Sequence, residues 1–196
     1  MDLMDLLTQQ LGGDAVRQIS NRLGADEDAT NKAIGGAIPV LVGALAKNAS
    51  RPEGAGALAN ALDRDHDGGI LNDLSGYLGR TQGRTGGAIL GHVLGDRQRG
   101  AEMGVSKMSG LDPAMVGQLL KMLAPIVMGA LGQQKRQSGL SPTDLGAVLG
   151  GQRQRAEQSM GGAGGLLGAL LDRDGDGSAL DDVAGMLGDL LGGGRR

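Results

Sequence analysis

Apolar residues along this chain gather into two long runs, AIGGAIPVLVGALA at 33–46 and LAPIVMGALG at 123–132, each bounded by polar stretches. Laid over one another at an offset of 86 (105 − 19), residues 19–45 and 105–131 pair Ser20 with Ser106, Gly24 with Gly110, Asp26 with Asp112 and Pro39 with Pro125. Gly43, Ala44 and Leu45 then fall on Gly129, Ala130 and Leu131, while Val40, Leu41 and Val42 fall on Ile126, Val127 and Met128. What repeats is a helix pattern and not merely a composition.

A second match, at an offset of 109 (172 − 63), sets LDRDHDGGILND at 62–73 over LDRDGDGSALDD at 171–182. The change of offset, 109 − 86 = 23, implies an insertion in the second half, placed at about 133–161, where the chain is polar and carries its own SPTDLGAVLGG. Each half reads as a short helical lead-in, a long apolar helix, a variable linker, a brief helix, an acidic loop and a last brief helix, with no strand required. The fold expected is all-α, an internally duplicated helical bundle with two Asp-rich loops between short helices. Residues 1–96 form the first repeat, with its acidic loop at 63–73, and residues 97–196 the second, with its loop at 172–182.

Local signals agree with helices. Asp112 before Pro113 and Ser141 before Pro142 place a capping side chain ahead of proline at a first helical position. Pro39 and Pro125 fall inside the long apolar helices, where a missing N–H and a ring clash predict a matched bend or break. Glycines at 35, 36 and 43 either permit close helix contact or weaken the helix, and spacing alone does not arbitrate.

Composition adds constraints. Aromatic residues amount to 1%, with Tyr77 the sole member, so the core must be built from aliphatic side chains and Met. A formal charge of −3 gives no global electrostatic reason to seek nucleic acid. The basic pairs Lys135 and Arg136, Arg153 and Arg155, and Arg195 and Arg196 lack aromatic interleaving and read as solvated faces. Zero cysteines removes disulfides, thiolate metal sites and cysteine nucleophiles. Asp2 and Asp5 stand where a secretory signal wants positive charge, so a cytoplasmic address is expected. The uncharged apolar stretch 33–46, between Lys32 and Lys47, falls short of the roughly 17–25 residues of a spanning helix, so no membrane span is expected.

The chemistry concentrates in the acidic loops. Asp63, Asp65 and Asp67 before Gly68, and Asp172, Asp174 and Asp176 before Gly177, both spell D-x-D-x-D-G. Alternate carboxylates in a turn point to one centre, and glycine permits the sharp bend. A hard cation such as Ca²⁺ takes six to eight oxygens at roughly 2.3–2.6 Å. The loops depart from the calmodulin-type pattern at position twelve, where Leu74 and Val183 stand and the acids Asp73 and Asp182 come one residue early. Asp181 is a further candidate, replaced by Asn72 in the first copy. The ligand set read from the sequence is therefore Asp63, Asp65, Asp67 and Asp73 in one loop and Asp172, Asp174, Asp176 and Asp182 in the other, for Ca²⁺, with Mg²⁺ the weaker fit. Arg64, Arg173 and His66, at intervening positions, are expected in solvent. A metal-free reading stays beside it, in which the aspartates make Asx turns and helix caps.

Two histidines, His66 and His92, and no nucleophile-and-base arrangement leave catalytic triads and zinc sites without their parts, and G-x-x-x-x-G-K-S/T is absent. His92, on a glycine-rich helix, reads as a surface or interface residue. The protein is expected to be non-enzymatic, with the Gly-rich apolar helices mediating association with another copy or a protein partner. A metal-free interaction module and a metal-dependent hydrolase are the alternatives.

The AIPVLVGALA and LAPIVMGALG helices upstream of LDRDGDGSALDD together resemble the YidB-like family of uncharacterised bacterial proteins, the bacterial domain of unknown function 937. The resemblance covers most of the chain in two copies. It implies an all-helical fold and a bacterial origin, and it brings no established activity, cofactor or catalytic residue.

Overall fold

A computed structural model describes residues 3–80 and 84–159. Every regular element among the described residues is helical. In chain order they are α1 (Leu3–Gln10), α2 (Gly13–Leu23), α3 (Glu27–Ala49), α4 (Pro52–Asp65), a 3-10 segment (Gly69–Asp73), α5 (Leu74–Arg80), α6 (Arg84–Val93), a short 3-10 turn (Gly95–Arg97), α7 (Gln98–Ser109), α8 (Pro113–Ser138) and α9 (Pro142–Ser159).

The two long helices begin at matching corners. Gly24 and Gly110 close α2 and α7 in the left-handed region, at φ 65° and 80°, where a side chain would be strained. Two residues later, Asp26 accepts hydrogen bonds from the N–H groups of Asp28 (2.9 Å) and Ala29 (3.1 Å), and Asp112 accepts one from Ala114 (2.8 Å). Each carboxylate thereby satisfies donors that a helix start leaves without partners. At α9 the cap is reciprocal. Ser141 Oγ accepts from the Asp144 N–H (3.2 Å), and the Asp144 carboxylate accepts from the Ser141 N–H (2.9 Å) and hydroxyl (2.6 Å). The bond from the Ser141 side chain, then that from its backbone, holds the Asp144 carboxyl below the ordinary carboxylate range.

Helix α8 is the axis of the molecule. From Met122 to Gly132 it is buried on every side, with α1, α2, α3, α4, α6, α7 and the 69–73 segment packed around it. A helix that is apolar all round belongs in a core. The buried residues form one continuous aliphatic cluster from Leu3 to Leu149, so residues before and after position 96 share it. Helix α9, in the stretch that the repeat offsets mark as an insertion, packs on α3 and α4.

Neither internal proline breaks its helix: α3 runs through Pro39 and α8 through Pro125. A proline leaves the carbonyl four residues back without its helical N–H. For Pro125 that carbonyl belongs to Lys121, and Gly86 of α6 lies directly on it, so close that a Cβ there would overlap the oxygen. A Cα–H of Gly86 thus points at the carbonyl that Pro125 leaves open. For Pro39 the carbonyl belongs to Gly35, which is exposed, with nothing among the described residues within 4 Å of where its Cβ would stand.

Side chains from the first helices close the ends of later ones. Asn48 Nδ2 donates to the carbonyls of His92 and Val93, at 3.2 Å each, and Arg22 donates to the carbonyl of Leu78. His92 itself is exposed.

By length and composition α3 and α8 are both apolar enough to cross a membrane, which the count of uncharged residues in 33–46 understates. In this fold 67% and 78% of their most apolar stretches are buried against protein.

The glycine contacts separate two outcomes. Gly86→Ala is expected to destabilise by about 1–3 kcal/mol or more, because backbone must give way. Gly35→Ala, in open space, is expected to gain roughly 0.5–1 kcal/mol from helix propensity. Thermal and urea unfolding of the two variants measure both.

Candidate functional site

The described acidic segment lies where α4 ends against the last turns of α8. Helix α4 continues through Asp65, so Asp63 and Asp65 are helical residues, and the turn proper is His66–Gly68. This changes the expected geometry. Alternate residues converge when a chain turns, but residues two apart on a helix point to different sides. Accordingly Asp63, Asp65, Asp67 and Asp73 do not gather, and among the described residues no group of three or more His, Cys, Asp or Glu side chains is placed to hold a metal ion. Asp172, Asp174, Asp176 and Asp182, with Asp181, lie outside the described residues.

Each carboxylate of the first copy has its own neighbour. Asp63 Oδ1 meets Lys135 Nζ at 2.5 Å, with the lysine side chain only 15% exposed. Asp67 Oδ2 lies 3.7 Å from an Arg136 guanidinium nitrogen, while its Oδ1 accepts the Gly69 N–H at 2.9 Å. Asp65 faces the exposed Arg64 at 3.9 Å. Asp73 Oδ1 accepts the Gly76 N–H at 2.9 Å and so caps the start of α5. Lys135 and Arg136 also occupy the last turn of α8, where the helix dipole favours positive charge.

Glycines bring the two backbones together. A Cβ on Gly132 would overlap the carbonyl oxygen of His66, and one on Gly129 would overlap Cγ2 of Ile70. Gly68 turns the chain at φ 86°, and a Cβ there would stand 2.9 Å from Cβ of Gln133. The corner therefore sits in a saddle on α8 formed by Gly129 and Gly132. Sequence reading set Lys135 and Arg136 aside as solvated. The signal that they face a partner is the pair of small residues one and two turns before them on the same helix.

His66, expected in solvent, is half-buried at this seam. Burial pushes its imidazole below the ordinary histidine range, and the charge of Asp65 opposes that shift only in part. A histidine that is harder to protonate when folded makes the unfolded chain the stronger proton binder. Stability is then fully present above the ordinary value of 6.5 and is lost as pH falls below it, until the folded imidazole also protonates.

An open polar groove of about 400 Å³ lies between the α1–α2 corner and the start of α5, lined by Gln9, Gln10, Asp14, Asn72, Asp73 and Ser75. Its acids are already engaged, Asp14 by Arg17 and Asp73 by the backbone of Gly76. Ser75 accepts a hydrogen bond from Gln18 at 3.0 Å.

Against known proteins, the chain matches the family described as "Bacterial protein of unknown function (DUF937)" over residues 5–134 and 137–195. No curated protein and no solved structure matches it.

Two expected outcomes follow from the seam. The melting temperature should fall between about pH 7.5 and about pH 5.5, and His66→Gln should flatten that slope. Gly132→Ala should cost about 1–3 kcal/mol in urea unfolding by forcing the corner off α8.

Proposed function

We propose, for a chain that belongs to the family of bacterial proteins of unknown function DUF937, a non-enzymatic helical association module built from two related units. Its acidic corner is an internal latch. The observation that carries this reading is that the carboxylates of 63–73 are engaged one by one, by Lys135, by Arg136 and by backbone N–H groups, with no common focus. The positive charge that such a cluster needs comes from the end of α8. The repeated unit is supported by the matching corners at Gly24–Asp26 and Gly110–Asp112 and by prolines at corresponding places in α3 and α8. Association through the Gly-rich apolar helices with another copy or a protein partner is part of this reading, and Met103 and Met108 of α7 leave 46% and 40% of their surface exposed beside it.

A second reading has Ca²⁺, or more weakly Mg²⁺, at the acidic loops. It is favoured by the recurrence of D-x-D-x-D-G and by the left-handed turn at Gly68, where a cation loop also bends. In that reading the cation displaces Lys135 and Arg136 from the carboxylates.

The latch is tested by a double-mutant cycle with Asp63→Asn and Lys135→Met. A coupling of roughly 0.5–1 kcal/mol is expected, because Asp63 is half-exposed and the pair is partly screened; the coupling should shrink as salt is raised. Absence of coupling overturns the latch. Calorimetric titration with Ca²⁺ in chelator-treated buffer decides the second reading for the first loop. Heat that disappears in the variant Asp63→Asn, Asp65→Asn, Asp67→Asn favours the cation; heat unchanged in that variant, or none at all, favours the latch.

A further inference from the structure

Methionine is unevenly placed in this fold. Met122 and Met128 are sealed in α8 at 4% exposure each, whereas Met103 and Met108 of α7 are the large apolar side chains that stand exposed among the described residues. Met108 combines exposure with a core contact. It is 40% exposed, yet its ε-methyl lies 3.0 Å and its sulfur 3.7 Å from where a Cβ on Gly36 of α3 would stand, beside Cγ2 of Val105 at 3.7 Å. Gly36 is itself buried, so its missing Cβ makes a notch in α3 that the end of the Met108 side chain fills.

Its place on α7 gives that contact weight. Helix α7 buries Ala101, Gly104, Val105 and Ser109 and packs on α3 and α8. Met108 stands at the edge of the buried face, one turn after Gly104 and in the last turn before the chain reverses at Gly110. Helix ends are among the first parts of a fold to open. The hydroxyls there bond within their own corner, Ser106 to the carbonyl of Leu111 at 2.7 Å and Ser109 to the carbonyl of Val105 at 2.8 Å, and so tie the turn to itself and not to α3.

We propose that Met108 is an oxidation site through which a peroxide-class oxidant loosens the last turn of α7 from α3. The exposed side of the residue admits the oxidant. A lone pair of the thioether sulfur attacks one peroxide oxygen, the O–O bond breaks and an S–O bond forms; with hydrogen peroxide the other oxygen leaves as water. The sulfur is oxidised by two electrons and the peroxide is reduced by two. A flexible apolar side chain thereby becomes a polar sulfoxide. The notch between Gly36 and Val105 is apolar, and an oxygen drawn into it would forgo its hydrogen bonds with water. The sulfoxide turns to solvent, withdraws its methyl and leaves Gly36 uncovered.

Because the chain has no cysteine, methionine is the sulfur that hydrogen peroxide meets. The full chain is treated with graded hydrogen peroxide, the oxidised positions are located by peptide mass spectrometry, and amide hydrogen exchange is followed in peptides from α7 and α8. Met108 should oxidise about tenfold faster than Met122 and Met128, and amides 105–109 should then exchange roughly three- to tenfold faster while those of α8 hold their rate. Methionine sulfoxide reductases should restore the slow exchange. Met108→Leu, which nearly conserves volume, should abolish the response, and Met103→Leu should keep it. Met108 oxidising no faster than the sealed methionines, exchange unchanged once it is oxidised, fast exchange that persists after reduction, or a response that survives Met108→Leu or is lost in Met103→Leu each overturns the proposal. Oxidation and reduction of the unaltered chain decide it even where a variant fails to fold.

Discussion

Everything in this fold depends on how closely other backbones can approach α8. A core without Phe or Trp has no large side chains to span wide gaps between helices, so density must come from proximity. Glycine supplies it. Gly86 lets α6 rest on the Lys121 carbonyl, and Gly129 and Gly132 let the α4 corner rest on α8 itself. The helix interior loses roughly 1 kcal/mol at each such glycine relative to alanine, and contacts that only a missing Cβ permits offset that loss. Abundant glycine and thin aliphatic composition are thus two sides of one packing solution.

The acidic corner follows from the same constraint. Once His66 and Ile70 are seated on the saddle, Asp63 and Asp67 are carried over the end of α8, where Lys135 and Arg136 wait. Position, more than charge, brings these groups together; their attraction is modest because Asp63 and Asp67 remain half or more exposed. A run of alternate aspartates can therefore be stable in a compact state with each acid answered separately.

Much of the architecture was legible in the residues. The caps at Asp112 and Ser141, the long helices through Pro39 and Pro125, and the absence of any need for strands could all be read from spacing and capping chemistry, and the family match over nearly the whole chain agrees with the resemblance those helices carry. The destination of the aspartates was not legible, because whether they converge depends on where α4 ends. Helix propensity at Arg64 and Asp65 does not decide between one more turn and an early loop. The half-burial of His66 was equally hidden, since its neighbour is Gly132 of α8, 66 residues further along the chain (132 − 66). Proline within a long apolar helix predicted a disruption that α6 absorbs through Gly86, a contact between residues that no local pattern connects.

The encirclement of α8 has a consequence for how the molecule comes into being. Its neighbours include α1 and α2, far back in the chain, as well as α6 and α7 shortly before it, so completing the centre joins near segments and distant ones. The distant contacts form last, and a chain emerging from the ribosome has no centre to collapse around until α8 has been made. The earlier helices that await that partner must meanwhile be kept from other nascent chains.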